Sequence, residues 1–287
     1  SKAAGGSLGP EELRNFLPKW QDPISVQIGK SMLYAPPPPA SAGIVAIQML
    51  QLGLAGSKRA TGGPAGQGHL IAEAAKRSLG ERLKWLGRDY GASAQVQRLL
   101  SPAHAKDLMS SFSSKKASPA EKFVDASQKV RQLDASASFL VADGDGLVVA
   151  CTLTMYHPFG TGRTTPGLGI VLAAAPGEKG RNPLPLGPVV VTRVKDNAFR
   201  FAFSSSGGAT AATAMANVMF ETLLAKKNLQ AAINEPRLHY ETDTDEVVIE
   251  DREKKDRLVS IISLGHKVRR LPSIGRVNAI SCPEGLP

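Results

Sequence analysis

The stretch SASFLVADGDGLVVACTLTMY, Ser136 to Tyr156, decides how the rest of the chain is read. Apolar and β-branched residues crowd both sides of Asp143-Gly144-Asp145-Gly146, and Asp-Gly between two such runs is a strong short-range hairpin signal. The stretch predicts two antiparallel strands turning through Asp143–Gly146. What comes before is different in kind: from Gln132 on the chain reads as a loop that ends in small, hydroxylic residues, Ser136 among them. A serine at a loop–strand boundary is either an ordinary loop hydroxyl or a nucleophile, and the residues alone leave both open.

Beyond the hairpin, GIVLAAAPG and GPVVVTRVKDNAFRFAFSS predict further strands with a turn near Lys195–Asn197, and GGATAATAMANVMFETLLAKK predicts a helix of small residues able to pack closely on a sheet. NLQAAINEPRLHYE reads as helix, then extended chain. EVVIEDREKKDRLVSIISLGHKVRRL reads as a strand, a charged turn and a second long apolar strand. Upstream, GPEELRNFLPKW opens a helix that ends before Pro18, and ISVQIG-KSMLYA predicts a hairpin around Gly29-Lys30. The rigid APPPPASAG leads into the helical IVAIQMLQLGL. SKRATGGPAGQG reads as a glycine-rich loop before an amphipathic helix with Leu70, Ala74, Ala75, Leu79 and Leu83 on one face. Ser101 and Pro102 begin a short helix, and SSKKASPAEKFVDASQKVRQLD reads as a surface loop. Helices come mostly first and strands later, so an α+β arrangement of antiparallel sheet with stacked helices is expected.

The chain has 287 residues, 42% hydrophobic and 21% charged, enough for a sizeable core. No run approaches the ~18 apolar residues of a membrane-spanning helix. The start SKAAGGSLGPEEL looks like the interior of a longer protein, so no leader segment can be judged from it. The net charge of +10 suits an acidic or membrane-associated partner. With 5% aromatics there is no stacking platform, which argues against nucleic acid. Cys151 reads as a small buried hydrophobe, and Cys282 could pair with something outside the chain. The five histidines are scattered in sequence, so no metal and no cofactor is expected.

Six segments in order resemble the gamma-glutamyltranspeptidases (glutathione hydrolases) of the N-terminal-nucleophile hydrolase superfamily. GGSLGPEELRNFLPKWQDPIS, YAPPPPASAGIVAIQMLQ and HLIAEAAKRSLGERLKWLG are similar to segments of the family's large subunit. VADGDGLVVACTLTMYHPFGTGRTTPGLGIVL, SSSGGATA and NEPRLHYE are similar to its small subunit. The resemblance implies a four-layer αββα sandwich, with residues 1–135 from the large-subunit-like region and 136–287 from the small. It also implies a periplasmic or extracellular protein whose substrate is an amide or peptide, and a front large-subunit segment not included here.

Such proenzymes cut themselves before a Thr, whose freed amine then serves as base for its hydroxyl. Carried over without gaps, that Thr is Ser136, the next Thr is Ala137 and the following His is Ser138. The supporting Thr is Thr154, and the oxyanion glycines are Gly207 and Gly208. Tyr156 stands where an Asn holds substrate, and Tyr156 and Ser205 are the candidate substrate contacts. The polar block gripping the glutamyl amine has become LAAAPGEK, and the Ser-Ser pair falls near Pro185-Leu186. Each lost partner of a zwitterionic head removes ~1–3 kcal/mol of recognition. Two expectations follow. One is a family amide hydrolase or acyltransferase, degenerate for gamma-glutamyl substrates and self-cleaving before Ser136. The other is a pseudoenzyme serving as a binding or assembly subunit.

Overall fold

The computed structural model describes residues 9–86, 93–124, 134–165, 167–174, 186–282 and 284. The hairpin forms as expected: β3 (Ser136–Ala142) pairs antiparallel with β4 (Val148–Thr154), Ser136 opposite Thr154 and Phe139 opposite Cys151. Asp143 closes it by accepting from the N–H groups of Asp145 and Leu147 through Oδ1, 3.0 and 2.9 Å, an Asx turn that explains the aspartate.

The main sheet has five antiparallel strands in the order β1 (Ile24–Ile28), β2 (Ser31–Ala35), β5 (Val189–Arg193), β6 (Phe199–Ser206), β10 (Arg276–Ser281). Two of its strands come from before residue 136 and three from after it. One face is covered by α2 (Ala42–Ser57) and α6 (Ala211–Met219), whose Ile44, Ile47, Met49, Met215 and Val218 are buried with Leu33, Val191 and Phe203. The β3–β4 hairpin lies on the other face. Asn278 of β10 donates to the Ser138 carbonyl at 2.7 Å while Val277 and Ala279 pack into the core, and alternate strand residues point to opposite faces. The hairpin's far side bears Phe139, Val141, Val149 and Leu153, each about half exposed.

Outside α2 runs α3 (Gly63–Leu86), then a three-stranded sheet, β7 (Leu238–Glu241), β8 (Glu246–Glu250) and β9 (Lys267–Leu271). Short helices α1 (Pro10–Asn15), α4 (Ser93–Leu99), α5 (Pro102–Leu108) and α7 (Leu229–Asn234) complete the order. Ser101 caps α5 as expected, its hydroxyl accepting from the His104 N–H.

The structure corrects three expectations. LVSIISL is a helix, α8 (Lys255–Ser263), because β8 and β9 pair parallel and need a crossover. α3 starts at Gly63, inside the expected loop: Gly66 comes so close to the Thr61 carbonyl that a Cβ there would lie 1.9 Å from its oxygen. GIVLAAAPG gives only an isolated bridge, Thr164 to Val171, between glycines at positive φ; its residues past 174 lie outside the described residues. In and after the charged turn, Arg252 pairs with Glu250, Arg257 with Glu253, Arg269 with Glu246 and Arg270 with Asp251. The side chain of Leu83 and residues 125–133 of the expected surface loop lie outside the described residues.

Candidate functional site around Ser136

Pairing in register puts Thr154 beside the peptide bond that precedes Ser136. Its Oγ1 donates to the Ala135 carbonyl at 3.3 Å, and the Met155 N–H donates to the same oxygen at 3.1 Å. Two donors on one carbonyl polarise it toward attack. A hydroxyl is adjacent: the Ser136 Oγ is buried and has no hydrogen-bond partner among the described residues. A buried hydroxyl without a partner is uncommon enough to require an explanation. Thr154 Oγ1 also accepts the Tyr156 N–H at 3.0 Å, which holds Tyr156 at a φ of 62°, a costly conformation for a bulky residue. Burial raises the Tyr156 phenol above its ordinary value.

The glycine pair lies at the end of β6, which packs under the hairpin. Gly207 has φ 131° and Gly208 φ 56°, the first a conformation for glycine and the second one that favours it. Thr210 anchors the Gly207 carbonyl twice, through its N–H at 3.0 Å and its Oγ1 at 2.9 Å. A peptide unit is rigid, so a fixed Gly207 carbonyl aims the Gly208 N–H in the opposite direction. As the start of a helical turn, that N–H lacks an intrahelical acceptor. No hydrogen bond among the described residues joins this turn to Ser136. Gly207→Ala would set a methyl 2.7 Å from the Gly275 Cα in a disfavoured backbone region. It should cost about 1–3 kcal/mol, read as a lowered urea midpoint.

Behind the turn, the Thr213 hydroxyl donates to the Thr210 carbonyl at 3.0 Å and so must accept from His239 Nδ1–H at 2.8 Å. Burial, reinforced by the Arg269 and Arg82 charges, pushes the His239 imidazole down to about 3. Arg237 donates to the carbonyls of Ile274 and Gly275 at 3.3 Å, tying down the segment before β10 that abuts Gly207. His239 and Arg237 therefore build a structural corner behind the glycine turn.

The other candidates are engaged elsewhere. The Ser205 hydroxyl is buried and donates to the Ala211 carbonyl at 2.7 Å. The Leu186 carbonyl accepts from the Ser41 and Ala42 N–H groups, 2.9 Å each, at the start of α2. Pro185 and the end of LAAAPGEK lie outside the described residues.

Sequence reasoning missed a cluster on the opposite side of α2. His69 and His266, 197 residues apart, meet at 2.7 Å next to Glu73. Glu73 is ion-paired with Arg77 at 2.5 Å and lies 3.5 Å from Lys76, all three buried. The one available signal was polar residues at i, i+4 and i+8 within an otherwise apolar helix face.

A family profile described as Gamma-glutamyltranspeptidase matches residues 1–179 and 173–285. The glutathione hydrolase proenzyme of Escherichia coli strain K12 is 28% identical, over 98% of this chain and 52% of its own. Acylase ACY 1 proenzyme of Pseudomonas sp. strain V22 is 26% identical, over 99% and 52%. The crystal structure of cephalosporin acylase from Bacillus halodurans superposes with a TM-score of 0.77 at 22% identity, covering 98% of this chain and 52% of that one. The chain thus spans about half the length of the curated relatives it matches.

Proposed function

Because the chain belongs to the gamma-glutamyltranspeptidase family, we propose that it carries the self-cleaving and catalytic centre of an amide hydrolase or acyltransferase, with Ser136 as nucleophile. The observation that carries this is the Ala135 carbonyl, held by Thr154 Oγ1 and Met155 N–H beside the unpartnered Ser136 hydroxyl. In the proposed first step Ser136 Oγ attacks the Ala135 carbonyl carbon, and its proton passes to the departing amide nitrogen. The resulting ester is hydrolysed by water, leaving Ser136 with a free amine. That amine then serves as the base when the same hydroxyl attacks a substrate amide, and the Gly208 N–H is the proposed oxyanion donor.

The substrate acyl group is proposed to be less polar than gamma-glutamyl. Ser205 is already bonded to Ala211, and the positions of the glutamyl ligands carry Ala173, Ala174 and Leu186. Residues 1–135 and 136–287 are proposed to be the two fragments. They share the five-stranded sheet, so they should stay together after the cut. The full four-layer αββα sandwich is proposed as well, its outer helical layer covering the apolar far side of the hairpin and supplied by the part of the family's length this chain does not span. A periplasmic or extracellular setting is proposed from the family alone.

Intact mass spectrometry under denaturing conditions is the direct test, followed by turnover of chromogenic acyl anilides with apolar and gamma-glutamyl acyl groups. Two fragments dividing at 135/136, with preference for the apolar anilide, are expected. An uncut chain without turnover would support a binding or assembly subunit instead. Thr154→Val, which removes one donor from the Ala135 carbonyl, should slow cleavage roughly 10²-fold or more, followed on a gel after synthesis.

A further inference from the structure

We propose that His69, Glu73 and His266 form a buried site for a divalent transition-metal ion of the zinc type, separate from the Ser136 centre. His69 and Glu73 are one helical turn apart on α3 and so project from the same side. His266 arrives from the turn between α8 and β9. Their ligand atoms all lie within 4.8 Å of one another, and all three residues are buried. Two imidazoles and a carboxylate are a donor set suited to zinc, leaving a fourth tetrahedral position open.

Hydrogen bonding already orients the set. His69 Nε2 lies 2.8 Å from the Ser113 carbonyl, which can only accept, so the proton is on Nε2 and the lone pair on Nδ1. A ligating histidine usually donates its second nitrogen to a carbonyl or carboxylate in this way. The lone pair of Nδ1 faces His266 Nε2 at 2.7 Å, so His266 now donates. For both to ligate, His266 shifts its proton to Nδ1 and the ring nitrogens part to about 3.3 Å, the spacing that ~2.05 Å bonds to a tetrahedral ion require. No net proton is released by the pair.

Charge sets the strength. Arg77 holds Glu73 Oε2, and the Ser118 N–H reaches Oε1 at 3.1 Å with Lys76 3.5 Å away. The carboxylate therefore reaches an ion through one oxygen while Arg77 keeps the other. Lys76 has alternatives in the Ser118 carbonyl, Asp245 at 3.9 Å and the Tyr240 ring. Two neighbouring cations oppose a third, so binding should be micromolar rather than tighter. An occupied site would clamp the α8–β9 crossover to α3.

Cobalt(II) titration of the purified, chelator-treated protein provides the test, read after long equilibration because Ser113 and Ser118 cover the cluster. A 1:1 visible absorption of tetrahedral nitrogen–oxygen ligation is expected, displaced by zinc, with melting raised by roughly 5 °C at a hundredfold excess over Kd. His69→Gln and His266→Gln should each abolish the absorption. If those variants do not fold, the imidazole proton signals of the unmutated protein during zinc titration decide: two histidines shift. No absorption and no melting shift at millimolar cobalt would overturn the site, as would an absorption that survives both substitutions.

Discussion

Ser136→Ala should leave the chain whole and lower any amide-hydrolysing rate by roughly 10⁶-fold, the scale on which loss of a nucleophile acts. Both effects have one origin, because the same Oγ is proposed to attack first the Ala135 carbonyl and then the substrate. Ser136→Thr keeps the hydroxyl and should still cleave, although its extra methyl enters a half-buried position opposite Thr154. Folding is the control: the side chain makes no hydrogen bond among the described residues, so the alanine variant should melt within about 1 kcal/mol of the parent. Fragments that persist in Ser136→Ala would place the cut, and the nucleophile, elsewhere.

Glu73→Gln should destabilise the fold by about 3–5 kcal/mol, as measured by urea unfolding in the presence of chelator. The carboxylate is buried with Arg77 and Lys76 and also takes the Ser118 N–H, so the amide leaves the buried Arg77 without its counter-charge and Lys76 with only Asp245, 3.9 Å away. Phe123 stacks under the Arg77 guanidinium at 4.2 Å and keeps it in place even then. Burial works to raise the Glu73 pKa, but Arg77 and Lys76 outweigh it and hold the carboxyl below its ordinary value. A lowered folded-state pKa means this stabilisation is present above the unfolded pKa, near 4.5, and disappears as pH falls through the folded one.

Two histidines act over a neighbouring window. Burial pushes His266 down to about 4, with Glu73 and Asp245 opposing and His69 and Lys76 adding, and His239 is pushed down to about 3. The unfolded chain protonates both near 6.5, so their contribution is complete above that value. It falls by up to ~1.4 kcal/mol per pH unit for each group as the solution is acidified. Stability should therefore be flat from about pH 7 to about pH 9, below the range where the tyrosines titrate, and decline from 6.5 downward. In Glu73→Gln the last part of the decline, below about 4.5, should be weaker than in the parent.

Local rules carried much of the fold. Asp143-Gly144-Asp145-Gly146 could only turn sharply, Gly29-Lys30 likewise, and Ser101-Pro102 could only begin a helix, because each depends on φ preferences and on hydrogen bonds reaching two or three residues. The Ser136 candidate came from the same source together with family likeness, since a site at a strand's first residue is pinned by the strand. LVSIISL was misread because a short apolar run serves strand or helix equally well, and the decision came from β8 and β9 lying parallel. The start of α3 at Gly63 depended on a glycine approaching the Thr61 carbonyl, a contact invisible to periodicity.

What the sequence by itself determined is therefore the hairpin, most element types and the serine at its edge. Tertiary structure alone decided that Thr154 would hold the Ala135 carbonyl, that Ser205 would turn to Ala211, and that His69, Glu73 and His266 would meet. The physical reason is distance along the chain. Propensity and turn chemistry act over a few residues, whereas packing α8 against α3 brings together side chains nearly two hundred positions apart.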